Sequence, residues 1–250
     1  MTSSTEPRQH ATTSLPPVVS QEEWQAARDE LLLLEKAHTR AGDALAARRR
    51  RLPMVEMDAD LQFEGPNGTV TLLDLFEGRR QLLLYHHMLK PNDPAPCPGC
   101  SAFLDHVPHL AHLNVADVTF AMEAAAPLDE FRAYLDRMGR PDVPGYSSGE
   151  HGTREAINPS PWGPSSFALS AFVRDGSKVY RTYVTYGRGV DGTNLIDMVV
   201  FGRQQSFEDS PEGWPQRGTY EFGRVHLDYT DDELAGLVAP STTGQTEPAG

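Results

Sequence analysis

Cysteine is almost missing from this 250-residue chain, which holds only Cys97 and Cys100. Two thiols three positions apart make neither a disulfide framework nor a four-thiolate zinc site, since no second pair is present. Long apolar runs are missing as well. The longest, QLLLYHHML, falls well short of the roughly 20 residues that a membrane helix needs, so no membrane partner is expected. The opening MTSSTEPRQHATTSLPPVVS has neither the basic start nor the apolar centre of a secretory signal, and the expected location is the cytoplasm. Basic charge is scarce too: Lys and Arg number 22 against 35 Asp and Glu, a net charge of −13. Phosphate backbones require a basic face, so nucleic acid is not an expected partner. The one basic run, Arg48 to Arg51, closes an expected helix, where it complements the negative end of the helix dipole; a grip on a phosphate is the alternative reading.

What is present centres on LLLYHHMLKPNDPAPCPGCSAFLDHVPHL, from Leu82 to Leu110. An apolar run with β character, a proline-filled loop and Cys-Pro-Gly-Cys opening a helix make the pattern of a dithiol redox centre. Amide N–H groups at the first turn of a helix favour a thiolate, so Cys97 is the expected nucleophile and Cys100, one turn on, the resolving thiol. Pro98 suits the first helical position, where its missing N–H costs nothing, and Gly99 admits a close approach. Two inert buried cysteines, or two ligands of a metal, are the competing readings. In the metal reading Cys97, Cys100 and His86, with His87 or Met88 nearby, would hold copper or zinc. In the redox reading no cofactor is required and His86 shuttles a proton for the thiols. Alternation along the strand sends Leu82, Leu84, His86 and Met88 to one face and Leu83, Tyr85 and His87 to the other.

Around this stretch the chain divides into a disordered tail (1–17), a helical arm (18–52), a main domain (53–239) and a second disordered tail (240–250). The arm begins with a capping box, Ser20 with Glu23. Its stripe of Trp24, Ala27, Leu31, Leu34, His38, Ala41 and Leu45 packs against the body or against a second subunit, which makes a homodimer through this helix one expected assembly. LQFEGPNGTVTLLDLF reads as a hairpin. DVTFAM reads as a strand and LDEFRAYLDRM as an amphipathic helix ended by Gly139, followed by a loop from about Arg140 to Ser165. FALSAFV and KVYRTYV read as a second hairpin turning at Arg-Asp-Gly. His106, His109 and His112 recur every three residues but drift about 60° per step around a helix, so they do not share one metal. Arg188, in a glycine-flanked loop, is a candidate anion clamp over the site. The expected fold is α/β, a mixed sheet flanked by helices with a long N-terminal helix and an extra N-terminal hairpin.

EEWQAARDELLLLEKAHTRAGDALAARRRRLP, LLDLFEGRRQLLLYHHM, PCPGCSAFLD, HLNVADVTF, APLDEFRAYLDRMG, the YSS at Tyr146, TYGRGVDG and FGRQQSFEDSPEGWPQ together resemble a bacterial family catalogued as a domain of unknown function. That family is placed in the thioredoxin-like group, beside the alkyl hydroperoxide reductase and thiol-specific antioxidant proteins. The resemblance implies a thioredoxin-like fold and a thiol oxidoreductase or thiol peroxidase acting on a disulfide or peroxide, with a thiol reductant as electron donor. His86 matches the family pattern, whereas His87 stands where an aromatic residue is usual. The peroxiredoxin spacing before the reactive Cys is absent, and the position of the thioredoxin cis-proline falls near Phe167 and Ala168.

Overall fold

The computed structural model describes residues 15–149 and 152–187. The first described element is α1 (Gln21–Arg49), opened by the reciprocal capping box in which Ser20 Oγ accepts from the Glu23 amide and Glu23 accepts from the Ser20 amide. The strands are β1 (Val55–Met57), β2 (Gln62–Gly65), β3 (Gly68–Thr71), β4 (Gln81–His87), β5 (Val118–Ala124), β6 (Gly145–Ser147), β7 (Ala168–Asp175) and β8 (Lys178–Thr185). The remaining helices are α2 (Pro98–Asp105), α3 (Ala111–Asn114), α4 (Leu128–Arg137) and α5 (Thr153–Ile157).

Among the described residues these strands form one eight-stranded sheet in the order β1-β8-β7-β4-β5-β6-β2-β3. β4 runs parallel to β5 and antiparallel to β7, and β7 turns antiparallel into β8. That four-strand order, with α2 and α3 carrying the crossover from β4 to β5, is the thioredoxin-like arrangement. β4 lies at its centre with both faces covered, which is why its sequence is a continuous apolar run.

The expected alternation holds along β4 as far as His87 and sorts two cores, whereas Met88, expected on the Leu82 face, lies past the end of the strand and packs against the Cys100 core instead. Leu82 and Leu84 join Phe63, Leu72, Phe76, Tyr146 and Phe172 under one face. Tyr85 joins Cys100, Leu104, Phe120, Met122, Phe131 and Leu135 on the other, with Leu83 packed at its margin. The side of the sheet that faces α2 is therefore the Tyr85 and His87 side.

Two expectations change. The stretch from Arg140 to Ser165 is not one loop: β6 pairs in parallel with β5 and, through Glu64 opposite Ser147, recruits the β2–β3 hairpin to the sheet. Its three residues, Gly-Tyr-Ser, are too short for periodicity to register. Gly149, just beyond, passes so close to the Ala125 carbonyl that any Cβ would overlap it. The second change is the cysteine helix, which ends at Asp105 before Pro108, so His106 caps it while His112 lies on α3. Gly139 follows α4 at φ 68°, as a left-handed helix stop requires. No helix among the described residues is long and apolar enough to cross a membrane.

Candidate functional site

β4 ends at His87, and the chain then makes a proline-rich excursion before α2 begins. Cys97 is the N-cap of α2 and Pro98 its first helical residue. Cys97 is half-buried and Cys100 is buried, both as free thiols. A cleft of about 410 Å³ opens beside Cys97, lined by Met88, Lys90, Pro91, Asn92, Asp93, Pro94 and Ala95. The excursion is fastened by Asn92, whose amide donates to Glu130 Oε2 at 2.8 Å, and by the Ala95 amide on Asp93 Oδ1 at 3.1 Å.

The two thiols have opposite electrostatics. A hydrogen bond from the Cys100 thiol, with the Cys100 and Gly99 amides also aimed at the Cys97 sulfur, lowers Cys97 to about 6 against the opposing effects of burial and of Asp93. Burial pushes Cys100 well above its ordinary value, and the nearby Cys97 sulfur adds to the rise, against the opposing hydrogen bonds of the Tyr85 hydroxyl and the Met88 amide. Tyr85 itself is buried, stacks on Phe103 of α2 with centroids 4.2 Å apart, and is held protonated by that burial and by the adjacent Cys100. The dithiol thus pairs a half-buried thiol of lowered pKa with a buried thiol of raised pKa.

A directed hydrogen-bond chain ties the end of β4 to the start of α2. His87 Nδ1 accepts the Leu89 amide hydrogen at 3.0 Å, so the ring proton sits on Nε2, which donates to Tyr134 Oη at 3.1 Å. Ser101 Oγ donates to the Cys97 carbonyl at 3.1 Å, which leaves the Tyr134 hydroxyl to donate to Ser101 Oγ at 2.9 Å. A protonated His87 would set a second donor against the Leu89 amide. Burial, with Arg154 adding to it and Glu123 opposing, accordingly lowers His87 to about 3.

The unfolded chain binds a proton near pH 6.5 that the folded chain refuses until about pH 3, so this group withdraws stability as pH falls through that window, by up to about 1.4 kcal/mol per pH unit. His87→Gln is expected to lose less stability than wild type between pH 6.5 and 5, as measured by urea unfolding at each pH. Equal losses in both proteins would sink the assignment.

His86 lies elsewhere. It points to the opposite face of the sheet from the cysteines, with Nδ1 2.6 Å from Glu123 Oε1 and Nε2 2.8 Å from Ser170 Oγ. Both ring nitrogens are occupied there, and the structure does not bring His86 to Cys97 or Cys100 as a shuttle or a ligand. His87 is on the cysteine face, but its two nitrogens serve Leu89 and Tyr134. Among the described residues no three His, Cys, Asp or Glu side chains gather as a metal site, so the donor set expected for copper or zinc is not assembled. Arg188 lies outside the described residues. His109 and His112 stand with ring centroids 6.3 Å apart, while His106 Nδ1 lies 2.6 Å from the Ala102 carbonyl.

The charged centre beneath the sheet was not expected. Glu123, next to the last residue of β5, is fully buried and pairs with Arg154 Nη1 at 2.8 Å, His86 and the Ser148 hydroxyl. Burial alone would raise its carboxyl, but Arg154 and the His86 hydrogen bond hold it at about 2. Arg154 continues to the His87 carbonyl at 2.7 Å and the Pro164 carbonyl at 2.7 Å. One guanidinium therefore joins β5, the end of β4 and the segment leading into β7. That segment carries Trp162, 64% exposed, which stacks on Phe167 at 6.4 Å. Phe167, one of the two residues near which the thioredoxin cis-proline was expected, packs at the margin of the same core as Cys97, and no peptide bond among the described residues is cis. Glu123 had a legible signal, a lone charge within the apolar run VTFAMEA; Tyr134 and Ser101 had none, because their roles depend on tertiary pairing.

The family model described as "Bacterial protein of unknown function (DUF899)" matches residues 13–221 of this chain. No curated protein matches it. Among solved structures it is similar to the apo Sco1 protein from Thermus thermophilus determined in solution, at 19% identity and a TM-score of 0.33, covering 54% of this chain and 84% of that one.

Proposed function

We propose that this chain, which belongs to the DUF899 family of bacterial proteins, is a thiol–disulfide oxidoreductase acting through Cys97 and Cys100. The observation that carries the reading is the asymmetry of the pair. Cys97 is accessible beside a cleft with its thiol lowered to about 6, and Cys100 is buried with its thiol raised. A nucleophilic thiol works best with a pKa near ambient pH, and a resolving thiol that stays protonated does not compete for substrate.

The Cys97 thiolate attacks one sulfur of a substrate disulfide, forming a mixed disulfide and expelling the other sulfur as a thiolate. Cys100 then gives up its proton to solvent and attacks Cys97 Sγ. The Cys97–Cys100 disulfide forms and the second substrate thiolate leaves, so two electrons pass from the dithiol to the substrate. An external thiol reductant returns the protein to its dithiol state. Tyr85 touches the reacting Cys100 sulfur and stabilises it as its charge develops. His87, Tyr134 and Ser101 are positioning residues, since they hold the Cys97 backbone. The exposed Trp162 and the adjoining Phe167 supply an apolar edge where thioredoxins present proline, which favours a substrate whose disulfide is flanked by apolar groups.

The test uses bis(2-hydroxyethyl) disulfide and intact-protein mass spectrometry. Reduced wild type is expected to lose two hydrogens with no adduct retained, while Cys100→Ser holds one mercaptoethanol adduct, mapped to Cys97. An adduct on Cys100 in wild type, or a Cys100→Ser variant that stays unmodified, would overturn the proposal.

A further inference from the structure

We infer that the cleft beside Cys97 recognises an amino-acid head group on the substrate disulfide, Lys90 taking the carboxylate and Asp93 the ammonium of the half that becomes bonded to Cys97. This rests on the dithiol reading above and names a substrate class for the same site. The cleft, of about 410 Å³, is lined by residues between Met88 and Ala95 together with Cys97 itself. Its volume lies at the small end of the range for small-molecule sites. The lining stretch turns sharply: the Asp93 amide donates to the Lys90 carbonyl at 3.2 Å, with Pro91 and Asn92 between them and Asn92 at a left-handed φ of 54°. Proline presets the first bend of such a turn and asparagine tolerates the second. A β-turn brings the Cα atoms of its first and fourth residues within about 7 Å of each other. One cation and one carboxylate therefore stand at the two ends of a single turn, both on the wall of the cleft.

Both charges are available. Asp93 Oδ1 accepts the Ala95 amide at 3.1 Å, which orients the carboxylate and leaves Oδ2 without a partner among the described residues. Lys90 is exposed, and its Nζ likewise meets no partner among them, Asp93 included. The turn is held from outside the cleft, by the Asn92 amide on Glu130 Oε2 of α4 at 2.8 Å, so its two ends keep their places without a ligand. The Asp93 charge also reaches the reacting sulfur, where it opposes the lowering of Cys97; an ammonium seated on Asp93 offsets that opposition as substrate binds. Either charge alone would suit many ligands. Among thiols, an α-amino acid such as cysteine carries both on one carbon, next to a CH2–S arm that reaches Cys97 in the same cleft. Met88, Pro91 and Pro94 offer apolar wall for that arm. Trp162 and Phe167 do not line the cleft, so the apolar flank proposed above belongs to the other half of the disulfide, the half expelled first.

The experiment follows oxidation of the reduced full chain at pH 7 by intact-mass spectrometry of acid-quenched samples, with L-cystine, cystamine, dithiodipropionate and bis(2-hydroxyethyl) disulfide as probes. Their arms carry, in turn, both charges, an ammonium, a carboxylate and neither. Each rate is divided by the bis(2-hydroxyethyl) disulfide rate of the same protein, which cancels any change in the Cys97 thiolate itself. Lys90→Met is expected to lower this ratio at least about threefold for cystine and dithiodipropionate, and not for cystamine. Asp93→Asn, which keeps an acceptor for the Ala95 amide, is expected to lower it by a similar factor for cystine and cystamine, and not for dithiodipropionate. Cystine separates recognition from the general field of the cleft: its net charge is zero, so only a paired site makes it respond to both substitutions. A cystine ratio unmoved by either one of them, while bis(2-hydroxyethyl) disulfide still oxidises the pair, overturns this inference and spares the dithiol reading. Wild type that bis(2-hydroxyethyl) disulfide does not oxidise overturns both.

Discussion

Reduced protein is expected to react with iodoacetamide at pH 7 at least about a thousandfold faster than its Cys97→Ser variant. The factor has two parts. A thiol at about 6 is roughly nine-tenths thiolate at pH 7, against a few per cent for an ordinary cysteine near 8.5. The variant retains only Cys100, whose thiol is raised well above 9.0 and whose residue is 1% exposed. Its thiolate fraction at pH 7 is below about one in a hundred, and reaction also waits on local opening of the packed core. The two penalties multiply. The wild-type rate should rise through a single transition near pH 6 and level off, and that transition should vanish in Cys97→Ser. If wild type instead titrates near 8.5, the Cys100 thiol and the helix-terminal amides are not activating Cys97 and the proposed chemistry loses its basis.

Stability of the reduced protein should carry the same signature. Cys97 has a folded value below its unfolded one, so its contribution is present above about pH 9 and is lost as pH falls through 6. Cys100 works in the opposite sense and higher up, and His87 contributes equally to wild type and Cys97→Ser, so the difference between the two proteins from pH 6 to 8 reports Cys97.

How far the sequence could be read depended on whether the controlling interactions are local. Cys-Pro-Gly-Cys at a helix start is a local device, and so is the Ser20 capping box; both were legible as written. The order of β4, β5, β7 and β8 followed from turn signals and apolar runs, and the period of two along β4 separated His86 from His87 correctly. Which face of β4 meets α2 was not legible, because nothing in a strand says on which side the following helix will pack. That unknown decided the histidines. His86, favoured through the family resemblance, lies under the sheet with Glu123, and His87 supports the cysteine loop. β6 escaped notice for a different reason. Three residues held between β5 and β2 owe their strand geometry to their neighbours rather than to their own propensity.

Glu123→Gln is expected to cost about 3–5 kcal/mol at pH 7, the range for removing one partner of a buried ion pair. Gln keeps the shape of the side chain and can still bond His86 and Ser148, so the loss comes from Arg154, whose guanidinium, 5% exposed, is left charged without its carboxylate. Its other bonds, to the His87 and Pro164 carbonyls, do not neutralise it. For a protein of this size the change corresponds to a fall in Tm of roughly 6–20 °C. The pH dependence separates this account from simple loss of packing. Glu123 has a folded value of about 2 against an ordinary 4.5, so the stability it supplies is complete above pH 4.5 and disappears as pH falls through 2. The gap between wild type and Glu123→Gln, measured by urea unfolding, should therefore be widest at neutral pH and narrow progressively below 4.5. Replacing both partners, as Glu123→Leu/Arg154→Met, should cost less than the sum of the single changes, because the stranded charge is then gone. A gap below about 1 kcal/mol at pH 7, or one that persists undiminished to pH 3, would mean that Arg154 finds its compensation elsewhere and that the buried pair does not hold β4, β5 and the segment before β7 together.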